Sequence, residues 1–97
     1  MTDYIVSFTA RSRGDLLEAR RWLNQPGSGL KARLKMAKIT RALAELRFSP
    51  ERWPHSPYPN VRRRFVEGYT AYYRIDEKAG RVLIIRIFGP GQDQSTL

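Results

Sequence analysis

Hydrophobic positions along the chain follow two periods, and the change between them divides the sequence. From Tyr4 to Phe8 the run Tyr-Ile-Val-Ser-Phe is short, aromatic and β-branched, which predicts a strand. Thr9 then offers a hydroxyl suited to capping a helix. Between Ala10 and Asn24, Leu16, Ala19 and Leu23 recur at spacings of three and four, with Leu17 and Trp22 widening the stripe. Gln25-Pro26-Gly27-Ser28-Gly29 interrupts this pattern, and Ser28 is positioned to cap a second helix. That helix is expected from Leu30 to Phe48, where Met36, Ile39, Leu43 and Leu46 form a stripe that Leu30 and Leu34 extend. So short a break predicts an antiparallel helical hairpin.

The period then shortens. Pro54-His55-Ser56-Pro57-Tyr58-Pro59 carries three prolines and predicts an ordered loop or extended arm. Three strands are expected after it, at Asn60 to Val66, Tyr69 to Asp76 and Arg81 to Phe88, separated by Glu67-Gly68 and Glu77-Lys78-Ala79-Gly80. Val82-Leu83-Ile84-Ile85 is apolar at consecutive positions, which places its strand inside the sheet, with the first strand as a neighbour. The predicted fold is α+β in the order β-α-α-β-β-β. An N-terminal strand, the hairpin and a three-stranded antiparallel meander pack with the helices on one face of a curved sheet. The opposite face is expected to stay open. Residues 1–97 read as a single domain, with 89–97 as a mobile tail.

Charge changes this picture from a generic domain to a basic one. Eighteen Lys and Arg against nine Asp and Glu give a net charge of +9, which favours an acidic partner. Cysteine is absent, which excludes disulfides and thiolate zinc sites, and His55 is the single histidine. No apolar run approaches a membrane span, so a cytoplasmic protein with no membrane partner is expected. No cofactor or metal is expected either. Asp15 and Glu18 are read as complementing the positive end of the first helix.

The densest chemical signal is Val61-Arg62-Arg63-Arg64-Phe65. On a strand Arg62 and Arg64 share one face and Arg63 takes the other, and Arg74 and Arg86 are candidates to join one of these groups. Such guanidinium groups bind phosphates or carboxylates, or else form a solvated sheet face. Tyr69 and Tyr73 fall with Ala71 and Ile75 on the core side, which leaves Tyr72 as the exposed candidate for stacking on a base. On the hairpin, Trp22 is read either as core or as an anchor for a partner helix, with Arg20, Arg21 and Arg33 meeting that partner's acids.

Val6-Ser7-Phe8-Thr9, the Asp15-Leu16 helix, Arg62 to Phe65, Gly68-Tyr69-Thr70-Ala71-Tyr72-Tyr73-Arg74-Ile75 and Val82 to Gly89 together resemble the ParE/RelE superfamily of toxin–antitoxin toxins. The resemblance covers nearly the whole chain. It implies a small toxin neutralised by a cognate, ParD-like antitoxin. Within that superfamily, RelE-like members cleave messenger RNA on the ribosome, and ParE-like members inhibit DNA gyrase. RelE-like nucleases are similar in placing an arginine after the glycine-tyrosine step, with a late arginine and tyrosine. Here Thr70 follows Gly68-Tyr69, Gly89-Pro90-Gly91-Gln92 lacks the arginine, and no tyrosine follows Tyr73. The ParE-like reading is therefore favoured, although Phe88-Gly89-Pro90 departs from the histidine-glycine-arginine step common at that point. A ribosome-dependent endoribonuclease using Arg62, Arg64, Arg74, Arg86 and Tyr72, and a non-catalytic nucleic-acid-binding module, stay open as alternatives.

Overall fold

The computed structural model describes residues 3–97 and contains β1 (Ile5–Phe8), α1 (Ala10–Leu23), α2 (Gly29–Ala44), β2 (Arg62–Val66), β3 (Tyr69–Asp76) and β4 (Arg81–Phe88). Two 3-10 turns, Glu45–Arg47 and Pro50–Arg52, join the helices to the sheet. The sheet order is β1-β4-β3-β2, so the meander forms as expected and β1 adds to its β4 side. β1 runs parallel to β4, from Ile5 opposite Arg81 to Phe8 opposite Ile84, and the sheet is mixed rather than wholly antiparallel. The helices pack on one face of it.

Residue chemistry explains the joints. Thr9 is extended, and its Oγ1 accepts from the Ser12 amide at 3.1 Å, which satisfies a helix-end donor. Ser28 makes no such bond, contrary to expectation, because its backbone is already helical and does not aim the hydroxyl at the first turn. The second helix also ends earlier than its apolar stripe suggests. Ala44 is the last α-helical residue, and the chain tightens into a 3-10 turn that still buries Leu46 before Phe48 becomes extended ahead of Ser49-Pro50. Glu67 and Gly68 both have positive φ, 51° and 83°, giving the two-residue turn whose twist suits the β2–β3 hairpin.

The main core lies between the helices and the inner sheet face, where Ile39, Leu43 and Leu46 meet Ala71, Tyr73, Val82, Ile84 and Ile87. Tyr73 is fully buried, and its hydroxyl donates to the Pro50 carbonyl at 2.6 Å. The outer face is not open as expected. Val61, Tyr72 and Phe88 form a second cluster there, packed by Tyr58, Ile85 and Leu97. The proline-rich loop and the final residues therefore act as its cover. No helix among the described residues is long and apolar enough to cross a membrane.

Candidate functional site

The arginines expected to form one stripe lie on two sides of the sheet. Arg62 and Arg64 stand opposite Tyr73 and Ala71 and share the inner face of the edge strand β2. Arg63 stands opposite Tyr72 on the outer face, and Arg86 faces Tyr72 from the other neighbour, β4. Arg74, two residues beyond Tyr72 on β3, is exposed on that same outer face. Arg74 and Arg86 thus join Arg63 and not the Arg62–Arg64 pair.

Several of these side chains are already engaged. Arg62 Nη1 donates to the Trp53 carbonyl at 2.6 Å. The Arg64 guanidinium lies 3.9 Å above the Trp53 ring, and Arg64 Nη1 donates to the Phe65 carbonyl. Arg86 is held most firmly. A bulge between β3 and β4 sets Tyr72 opposite Arg86 and Tyr73 opposite Ile84, leaving Ile85 as the extra residue.

The start of α1 is built to receive that bulge. Thr9, Ser12 and Asp15 recur every three residues, so they line one side of the helix. Thr9 Oγ1 donates to the Ile85 carbonyl at 3.0 Å and Ser12 Oγ to the Ile84 carbonyl at 2.7 Å. Asp15 Oδ2 accepts from the Ile87 amide and from Arg86 Nε, both at 2.8 Å. The Asp15–Arg86 pair keeps only 15% and 11% of its side-chain surface exposed, and Arg86 also stacks 4.3 Å from the Phe88 ring. Asp15 is therefore a partner of the β4 edge and not the helix-end charge expected from sequence. Glu18, likewise outside the first turn, pairs with Arg21 at 3.2 Å on the surface.

Tyr72 corrects a second expectation. It is 3% exposed, sits edge-on to Tyr58 and Phe88, and donates its hydroxyl to Gln94 Oε1 at 2.6 Å. A base cannot stack on it in this arrangement. Sheet alternation correctly turned Tyr72 away from the helices, but the Tyr58 loop and Gln94 cover the face it points to. Burial raises Tyr69 above the ordinary tyrosine range and pushes Tyr73 up to about 12, despite the arginines nearby. Both phenols are therefore protonated at neutral pH and are not general bases there. No cluster of metal-ligating side chains occurs among the described residues.

The glycine-tyrosine step has a packing explanation. A Cβ on Gly68 would lie 3.1 Å from Pro90 Cγ, and one on Gly89 would lie 3.0 Å from the Tyr69 ring. The β2–β3 turn and the end of β4 are thus pressed together around Tyr69, and Thr70 behind it is buried. Nearby, Trp22 is 65% exposed at the end of α1, which decides between core and surface in favour of surface. It borders a groove with Glu18, Tyr69, Pro90 and Gln92. Arg20 and Arg21 are exposed in the last turn of α1, and Arg33 is exposed on α2 beside the Asn24–Gly29 connection.

Sequence reasoning missed Trp53 and undervalued Phe65. Phe65 is 65% exposed on β2 and borders a groove of about 420 Å³ with Trp53, Pro54, Arg63, Arg64, Thr70 and Gln94. The available signal was an aromatic residue directly after three arginines on an edge strand. The backbone of His55, the single histidine, bridges to Arg62 at that same edge.

This fold recurs among toxins of toxin–antitoxin systems. The chain is similar to the chromosomal ParDE system from P. aeruginosa, with a TM-score of 0.71 and 20% identity over 90% of this chain and 96% of that one. It is similar to the intact E. coli RelBE complex, with a TM-score of 0.61 and 21% identity over 93% and 99% of the two chains. The RelBE2 complex from Mycobacterium tuberculosis gives 0.59 and 24% over 95% and 97%. No curated protein sequence gives a significant match. The family described as "ParE toxin of type II toxin-antitoxin system, parDE" matches residues 6–93, nearly the whole described chain, and the protein belongs to that family.

Proposed function

We propose that this toxin acts as an inhibitor of DNA gyrase in the cytoplasm and is neutralised by an acidic cognate antitoxin. The observation that carries this reading is the engagement of the groups a RelE-type nuclease would need. Arg86 is locked to Asp15, Arg62 is bonded to the Trp53 carbonyl, and Tyr72 is buried beneath Gln94. Arginine is permanently protonated and cannot supply a general base. ParE family membership points the same way.

A second reading, ribosome-dependent cleavage of messenger RNA, is favoured by one observation. His55 is brought beside Arg62 at the sheet edge, where an imidazole could serve as a base. The two readings separate in one experiment that assays the same preparation on gyrase supercoiling and on messenger RNA in translating ribosomes. Inhibited supercoiling without cleavage is expected. Cleavage that disappears in His55→Ala, with supercoiling untouched, would replace the gyrase reading.

For the antitoxin, charge complementarity and exposed apolar surface favour the hairpin, with Trp22 as the anchor and Arg20, Arg21 and Arg33 facing acidic side chains. Trp22→Ala is expected to weaken antitoxin binding by at least about tenfold, while unfolding free energy changes by less than about 0.5 kcal/mol. Titration calorimetry against the cognate antitoxin, together with thermal melts, checks both values. Unchanged affinity would move the antitoxin to another surface.

A further inference from the structure

The groove at the β2 edge combines features that the ParE-like reading does not use. Its wall contains two aromatic rings, Trp53 and Phe65, and two arginines, Arg63 and Arg64, with no carboxylate among its lining residues. Its volume of about 420 Å³ falls within the roughly 300–1,000 Å³ typical of small-ligand clefts. The two rings differ in state. Arg64 covers Trp53 at 3.9 Å and Arg52 approaches the same ring at 4.8 Å, whereas Phe65 remains 65% exposed. Leaving so large an apolar ring uncovered in a groove that two arginines also line creates a platform for another planar group.

An acidic peptide and a single-stranded nucleic acid both fit the charge, and the main chain of β2 distinguishes them. A peptide recognised at a strand edge gains affinity by adding hydrogen bonds to that edge. Here part of that edge is already occupied. The proline-rich segment lies along it through the His55–Arg62 bridge, in which the Arg63 amide donates to the Pro54 carbonyl at 3.0 Å, and the Phe65 carbonyl accepts from Arg64. The edge open to strand addition is short, whereas side-chain stacking and phosphate pairing are offered by the whole groove, and an unpaired nucleotide supplies both partners. We infer that the groove between Trp53 and Phe65 binds single-stranded nucleic acid, with a base stacked on Phe65 and flanking phosphates paired to Arg63 and Arg64.

The inference concerns binding without cleavage and is independent of the gyrase reading, since supercoiling and oligonucleotide binding are measured separately. The experiment uses fluorescence anisotropy of labelled oligouridylate and oligothymidylate with the purified chain, over a range of salt concentrations. Both probes are expected to bind, because stacking and phosphate pairing do not require a 2′-hydroxyl. Phe65→Ala is expected to weaken binding by about fivefold or more, and Phe65→Tyr to retain it. Arg63→Ala is expected to lower the slope of log affinity against log salt by about one. Both positions are on the surface, and thermal melts establish that each variant is folded.

Three results would overturn the inference. These are no binding by the wild-type chain, affinity unchanged in both Phe65→Ala and Arg63→Ala, or an acidic polyglutamate peptide that displaces the oligonucleotide and depends equally on Phe65. The last would assign the groove to a peptide.

Discussion

Under α1 and α2 the sheet presents Ala71, Tyr73, Val82, Ile84 and Ile87, and two helices lie against it. The opposite face carries Tyr72, Val61 and Phe88 together with Arg63, Arg74 and Arg86, and its cover is a proline-rich loop and the last few residues. That outer cover is held largely at two phenols, with the Tyr58 hydroxyl donating to the Gln94 carbonyl and the Tyr72 hydroxyl to the Gln94 side chain, both at 2.6 Å. Non-directional burial spread over many residues can be lost only by unfolding the domain, whereas a short segment held by few bonds can open locally. Stability therefore concentrates on one face, and adaptability on the other.

Substitutions on the two faces should separate these roles. Leu46, in the 3-10 turn after α2, is fully buried in the main core, so Leu46→Ala should cost about 2–5 kcal/mol in chemical denaturation. A much smaller loss would mean that the inner core can collapse around the gap, and the contrast between faces would fail. Tyr73→Phe removes a single oxygen but leaves the buried Pro50 carbonyl without its donor, at about 1–3 kcal/mol.

That second deficit should depend on pH. Because the folded phenol is raised to about 12, the folded state keeps a proton that the unfolded chain loses near pH 10. Wild-type stability then falls between roughly pH 10 and 12 through this group, and the Phe variant has no such loss. The gap between their melting temperatures is expected to narrow across that range, and a constant gap would contradict the assigned burial. The smallest effect belongs to Tyr72→Phe, at about 1 kcal/mol or less, since only the bond to Gln94 is lost. Hydrogen exchange should quicken around Gln94 and not in the helices. Exchange that rises everywhere would join the two faces into one unit.

The sequence made the elements legible because each had an undisturbed local pattern. Three-and-four spacing located Met36, Ile39 and Leu43, and aromatic and β-branched runs located β3 and β4. It could not reveal that β1 is parallel to β4, since strand periodicity is the same in both directions. Tyr72 was misread for a related reason. Alternation tells which face a side chain takes, but not whether a distant loop covers that face. Asp15 shows the same limit at the candidate site, because its partners Arg86 and Ile87 come from the other end of the fold and no local rule connects them.

The parallel pairing of the first strand with the last also governs the order in which the molecule can be completed. Ile5 finds its partner at Arg81, and α1 attaches to the carbonyls of Ile84 and Ile85, so the N-terminal third has no sheet to join until β4 exists. Contacts this distant in sequence slow folding, because a long loop must close before they form. On a ribosome the helices would emerge with their apolar stripe uncovered while the meander is still being made. A toxin wired in this way completes its sheet only once β4 has been made.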